Sequence, residues 1–165
     1  MRDFRITTHV CLIARALGAS SIILSDVVDK EVEKVVKKIV DQWRGPFSIT
    51  TGIPWEEAVK KWKNGGGIVC HLTMYGENIE TSDVMTRIRD QKKEVMVIMG
   101  AEKVDKKVYE CADFNVAVGN QPHSECGALA IFLDRYFLGK SLCRDFENAK
   151  LKIIPQSRGK KVIKI

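Results

Sequence analysis

The stretch from Phe114 to Gly139 constrains the fold of this chain more than any other. It is an apolar run, a polar turn and a helix in succession. Phe114 to Val118 is short, partly β-branched and closed by Gly119, the pattern of a strand buried on both faces of a parallel sheet. After the turn, Leu129, Phe132, Leu133, Tyr136 and Phe137 recur at helical spacing, with Gly139 placed to stop the helix. One face of that helix belongs to the core. Asn120 to Glu125 is left over, rich in donors and acceptors and delivered to the C-terminal edge of the sheet, where open α/β folds bind ligands. It reads as a binding loop.

The same alternation runs along the rest of the chain. Thr8 is placed to cap a helix with Val10, Ile13, Ala14 and Leu17 on one face and Gly18 closing it. Arg15 lies off that face and is expected to meet solvent. Ser21 to Leu24 reads as a strand. Asp29 then opens a long helix with Val32, Val35, Val36, Ile39, Val40 and Trp43 in register, ended by Gly45-Pro46. Phe47 to Thr50 is the next strand. Pro54 suits the first position of a short helix whose Trp55, Ala58, Val59 and Trp62 form a core or interface stripe.

Gly65-Gly66-Gly67 precedes a strand and lacks the Lys-Ser/Thr of a phosphate loop, so it reads as a turn. Ile68 to Leu72 is a strand leading into a loop, Thr73 to Glu77. Val84, Met85 and Ile88 mark a short helix. Val95 to Met99 is a further buried strand, ending at Gly100-Ala101-Glu102-Lys103-Val104 before a helix through Val108, Cys111 and Ala112. Lys150 to Ile154 and Lys161 to Ile165 form a terminal hairpin around Pro155 to Gly159. The expectation is one α/β domain over residues 1–165, a parallel sheet flanked by helices. Three successive strand ends would then set Leu72 to Gly76, Gly100 to Val104 and Gly119 to Glu125 side by side. The absence of a G-x-G-x-x-G fingerprint argues against a nicotinamide enzyme.

Charge and cysteines narrow the setting. The net charge is +6, and residues 150–165 hold six of the 27 bases and none of the 21 acids, so the body is neutral and the end basic. Such a segment offers an electrostatic contact to a polyanion such as RNA. The five cysteines are scattered without a C-x-x-C pair, which fits reduced, packed thiols in a cytoplasmic protein and gives a metal site no support. No apolar stretch approaches the roughly 20 residues of a membrane span.

At these loops the chain resembles the archaeal tRNA cytidine-56 2′-O-methyltransferases of the knotted SPOUT superfamily. The resemblance rests on Arg5 to Val10 through Arg15-Ala16-Leu17-Gly18-Ala19, His71 to Gly76, Met99 to Val104, Gly119-Asn120-Gln121-Pro122-His123-Ser124-Glu125, and Pro155 to Lys161. It implies a C-terminal trefoil knot, a homodimer, tRNA as substrate and S-adenosylmethionine as methyl donor. The residues it assigns to the donor are Leu72, Gly100, Ala101, Glu102, Lys103, Val104, Val118, Gly119, Asn120, Gln121, Pro122, His123, Ser124 and Glu125. Arg15 corresponds to the family's motif-one arginine and is the expected catalytic residue.

A guanidinium is a poor proton acceptor, so orienting the ribose hydroxyl or clamping a phosphate is the role chemistry allows it. The family carries a strand and a Leu-Gly-His-Arg-type segment ahead of Arg2-Asp3-Phe4-Arg5. The expectation is therefore a domain lacking that first strand. His9 stands where the wider group carries an asparagine and receives no catalytic role. The alternative function is a non-catalytic RNA-binding domain on the same fold.

Overall fold

Short polar residues at the turning points of the chain set where its helices begin. The computed structural model describes residues 3–100 and 104–165. The elements are α1 (Phe4–Ala16), β1 (Ser21–Leu24), α2 (Lys30–Trp43), β2 (Ser48–Thr51), α3 (Trp55–Asn64), β3 (Ile68–Asn78) and α4 (Val84–Asp90). They continue with β4 (Val95–Ile98), α5 (Lys106–Cys111), β5 (Phe114–Ala117), α6 (Glu125–Tyr136), a 3-10 turn (Lys140–Cys143), β6 (Leu151–Ile154) and β7 (Lys161–Lys164). Asp3, Asp29, Asp105 and Ser124 cap α1, α2, α5 and α6, each side chain accepting from a backbone N–H of the first turn.

Two helix starts differ from expectation. Thr8 sits a full turn inside α1, where its hydroxyl donates to the Phe4 carbonyl at 2.9 Å. Asp3 wins the capping position because a carboxylate also meets the positive end of the helix dipole. Pro54 occupies the cap of α3 rather than its first helical position.

The central sheet has the order β4-β3-β5, all parallel. β3 in the middle is buried through Ile68, Val69, Cys70 and His71, packed with Val116 of β5, Val84 and Ile88 of α4 and Phe132 of α6. β1 and β2 pair in parallel as a second sheet, with Val32 and Val36 of α2 buried in the same core. Alternation alone suggests one continuous sheet; the structure has two, because no strand pairs β1 with β4 among the described residues. β6 and β7 form the antiparallel terminal hairpin. It is held to α2 by Lys150, whose Nζ lies 2.7 Å from Asp41.

The largest departure lies in β3, which does not stop at Leu72. Thr73 to Gly76 bulges out and the strand resumes, so that Leu72 and Glu77 both pair with Val116. Gly76 permits this because a Cβ there would stand 2.5 Å from the backbone of Asn115 and Val116. Cys11 and Cys70 are buried, while Cys143 is exposed on the 3-10 turn. Burial pushes the Cys70 thiol up to about 12, which keeps it protonated and inert.

Candidate active site

Because β3 lies between β4 and β5, the chain that leaves each of these parallel strands emerges at one edge of the sheet. Leu72 is buried where β3 begins its bulge. Gly100 follows β4, and half-buried Val104 precedes the α5 cap; Ala101, Glu102 and Lys103 lie outside the described residues. Val118 is buried at the end of β5, and Gly119 turns the chain with φ +74°. A side chain at Gly119 would meet no steric obstacle, so glycine is needed there for its backbone angle.

Hydrogen bonds then build the loop from its own polar side chains. Asn120 donates from Nδ2 to the carbonyls of Met74 at 2.8 Å and Gly76 at 3.2 Å. Its Oδ1 accepts from Asn78 at 2.9 Å. Asn120 is therefore a strut that ties the β5 loop to the β3 bulge. His123 reaches back with Nε2 to the Val118 carbonyl, and its Nδ1 lies 3.1 Å from the Ser124 carbonyl. A neutral ring can donate to only one of these. Ser124 caps α6.

These assignments leave Gly119, Gln121 and Pro122, all exposed, with the loop's free backbone groups to face a ligand. Glu125 opens α6, half-buried. Such a set could hold a nucleoside-sized ligand, with exposed backbone groups for polar atoms and Leu72 and Val118 as apolar surface beside them.

Beneath the loops lies a polar network that sequence reasoning did not single out. His71, fully buried, bonds through Nδ1 to Asn115 Oδ1 at 2.9 Å, and Asn115 donates on to the Tyr109 carbonyl at 3.0 Å. The Tyr109 ring meets His71 edge-on, and its hydroxyl lies 3.1 Å from Thr73 Oγ1 at the start of the bulge. Burial lowers the pKa of His71, only partly offset by Asn115, which favours the neutral imidazole. The network braces β3, β5 and α5 under the bulge. A histidine inside an apolar run was the available signal.

Arg15 is placed elsewhere. It is 8% exposed rather than solvent-facing, because the chain returns over α1 after α6. Its guanidinium lies 4.7 Å from the Phe146 ring centroid and donates to the Arg44 carbonyl, closing the left-handed turn after α2, where Arg44 has φ +53°. Arg15 Nε and Arg44 Nε are buried without a protein partner. Burial also lowers the Arg15 pKa. Arg144 stacks 4.7 Å from Phe137 beside Gly18. The nearby carboxylates Asp41 and Asp145 are engaged by Lys150 and Lys152. Arg15 thus joins Arg44, Arg144 and Phe146 in a basic cluster, and within one chain it makes no described contact with the three loops.

Comparison with known proteins gives concordant matches. Residues 43–163 match the family model described as tRNA ribose 2′-O-methyltransferase, aTrm56. The tRNA (cytidine(56)-2′-O)-methyltransferase of Staphylothermus marinus is 53% identical over 99% of the chain and 87% of its own length. That of Methanocaldococcus jannaschii is 55% identical over 99% of the chain and 90% of its own length. Among solved structures, the A. aeolicus TrmH/SpoU tRNA modifying enzyme superposes with TM-score 0.62 at 13% identity, covering 88% of this chain and 76% of that one. The SpoU methyltransferase AviRb from Streptomyces viridochromogenes, in complex with AdoMet, superposes with TM-score 0.59 at 14% identity, covering 82% and 53%.

Proposed function

The chain belongs to the tRNA ribose 2′-O-methyltransferase family, aTrm56, and from this we infer that it transfers a methyl group from S-adenosylmethionine to the ribose 2′-hydroxyl of cytidine 56 in tRNA. The observation that carries the reading is identity of about half the residues along nearly the whole chain to relatives of that name. In the reaction the 2′-oxygen attacks the methyl carbon in line with the departing sulfur. The carbon–sulfur bond breaks with its electron pair on sulfur, and the hydroxyl proton leaves.

Little covalent chemistry falls to the protein, so the rate depends on holding oxygen and methyl in line in a dry site. The bulge, Gly100 to Val104 and Val118 to Glu125 hold the donor, Asn120 and His123 fixing the shape of the loop. Arg15, with Arg44 and Arg144, meets the phosphates and ribose of the tRNA, and residues 150–165 add charge along the backbone. Should Arg15 variants turn over normally, the hydroxyl's hydrogen-bond partner is sought among Glu102, Asn120 and Ser124, whose side chains can accept a hydrogen bond.

Two copies form the working enzyme. Exposed Phe4 and Ile6 of α1, Ile131 of α6, and Leu138 and Leu142 just beyond it support such an interface. The knotted path implied by the family resemblance, and action in the cytoplasm, belong to the same reading; among the described residues no helix is long and apolar enough to cross a membrane. The test is tritium transfer from labelled S-adenosylmethionine to tRNA transcripts with cytidine 56 intact or replaced. Label is expected only on the intact transcript, blocked by a 2′-deoxy residue there. Equal labelling of both transcripts would refute the target, and no labelling with intact RNA binding would favour a non-catalytic RNA-binding domain.

A further inference from the structure

Tyr75 is the most exposed large apolar side chain among the described residues, 75% open to solvent. It belongs to the β3 bulge, where the backbone is fixed on both sides of it. Asn120 donates to the carbonyls of Met74 and Gly76, the two residues that flank Tyr75. Thr73 Oγ1 lies 3.1 Å from the Tyr109 hydroxyl and accepts from the Tyr75 amide at 3.4 Å. Gly76 is pressed against the backbone of Asn115 and Val116 too closely for any Cβ. The bulge therefore presents one aromatic ring from a rigid base. Among the described residues no other ring and no cation stacks on it.

Its place in the fold says what the ring can meet. Buried Leu72 precedes the bulge, and Asn120, which grips the chain on either side of Tyr75, stands between Gly119 and Gln121 of the β5 loop. Tyr75 thus sits at the seam of the two segments assigned to the donor. The chain around it is polar, with Glu77, Gly119, Asn120 and Gln121 all exposed. An apolar protein face laid over Tyr75 would cover these groups without pairing them. The apolar side chains that support the pairing of two copies lie on other elements, α1, α6 and the turn beyond it. A flat π face inside a polar rim suits a ligand of the same make, a nucleobase, and exposed aromatics are where proteins hold RNA bases that have left their stack. With only two side-chain torsions on a fixed backbone, the ring loses little freedom when a base settles on it.

The reaction selects which base. In-line attack needs the acceptor ribose turned toward the methyl group, and a nucleotide of a folded RNA is freed for this by unstacking. Its base hangs one glycosidic bond from the reacting ribose and so arrives at the same seam. We propose that Tyr75 is the stacking platform for the base of the acceptor nucleotide, an RNA subsite at the rim of the donor loops; the assignment rests on the methyl-transfer reading above. Stacking on Tyr75 replaces part of what the nucleotide gives up when it leaves its neighbours. Every base has a π face, so the platform contributes affinity and position rather than the choice of cytidine.

The test compares Tyr75→Leu, Tyr75→Ala and Tyr75→Trp with the parent protein in methyl transfer to tRNA, calorimetric donor binding, mass in solution, and the emission of pyrrolocytidine placed at position 56 of the transcript. Loss of one base stack should lower kcat/KM for tRNA by about 5- to 150-fold in the leucine and alanine variants, and the tryptophan variant should recover most of it. Donor affinity and mass should hold, because Asn120 and Thr73, not the ring, fix the bulge backbone. The parent should quench the pyrrolocytidine, while Tyr75→Leu should bind the transcript without quenching it. Leucine keeps the apolar surface and removes the π face, so a leucine variant equal to the parent in turnover and quenching would overturn the proposal. Weakened donor binding would also overturn it, by assigning the ring to the donor, and a fall in mass would assign it to a second copy. A parent that labels no tRNA overturns the methyl-transfer reading and the acceptor assignment with it, whereas a labelling parent matched by all three variants overturns the platform alone.

Discussion

Replacing Asn120 by aspartate changes one NH₂ group to oxygen, and the structure says what that does. Asn120 Nδ2 donates to Met74 and Gly76, while Oδ1 accepts from Asn78. Aspartate keeps the last bond and loses the first two, setting a carboxylate oxygen against two carbonyls at 2.8 and 3.2 Å. A neutral hydrogen bond contributes about 0.5–1.5 kcal/mol net, so the pair contributes about 1–3 kcal/mol to holding the β5 loop against the bulge. Donor affinity should fall by about 5- to 150-fold, since binding must then supply the ordering that Asn120 supplied.

The assay is calorimetric titration with S-adenosylmethionine, with circular dichroism as a check on the fold. Asn120→Ala separates lost bonds from repulsion: it should weaken binding less than aspartate does. Lowering the pH toward 4 should restore part of the affinity of the aspartate variant, because a protonated carboxyl can again donate. If both variants bind the donor within twofold of the parent, Asn120 does not shape the donor site and the argument from its three bonds is wrong.

Arg15→Lys should lower turnover on saturating tRNA by at least about tenfold with donor binding kept, and, because Arg15 is buried against Phe146 and Arg44, should also cost about 2–4 kcal/mol in denaturant unfolding. Near-normal single-turnover rates for Arg15→Lys and Arg15→Ala would remove it from the mechanism. Glu33, held down to about 2 chiefly by the Thr51 hydroxyl and then by Lys37, stabilises the fold fully above the ordinary carboxylate range, and this is lost as pH falls from about 4.5 toward 2. Glu33→Gln should flatten acid unfolding in that window by lowering stability at neutral pH while changing it little near pH 2; a parallel acid profile would refute the link between α2 and β2. Lys160→Ala with Lys161→Ala should weaken tRNA binding and reduce its salt slope by roughly one phosphate contact per lysine, an unchanged slope making the hairpin a packing element.

How much of the site was legible depended on how far along the chain its causes lie. The Gly119 to Glu125 loop was visible because strand, turn and helix follow one another, and the Ser124 cap is a local signal. The roles inside that loop were not. Asn120 acts as a strut only because Met74, Gly76 and Asn78 are brought beside it from 42 to 46 residues away. Arg15 looked solvent-facing because helical periodicity reports only the face toward the nearest core. Its burial comes from Phe146, at the other end of the chain.

By itself the sequence determined the α/β alternation, the polar turns at the ends of the central strands, the basic terminal hairpin and, through its resemblance, the family. Each is written in periodicity, capping chemistry or contiguous motifs, which act over a few residues. Tertiary structure alone decided that Thr73 to Gly76 is a bulge rather than a loop, since that depends on the backbone of Asn115 and Val116 passing where a Cβ of residue 76 would stand. It decided too that, among the described residues, β1 pairs with β2 while β4, β3 and β5 form a separate sheet, because strand pairing is a hydrogen-bonding relation between distant segments that no local pattern records.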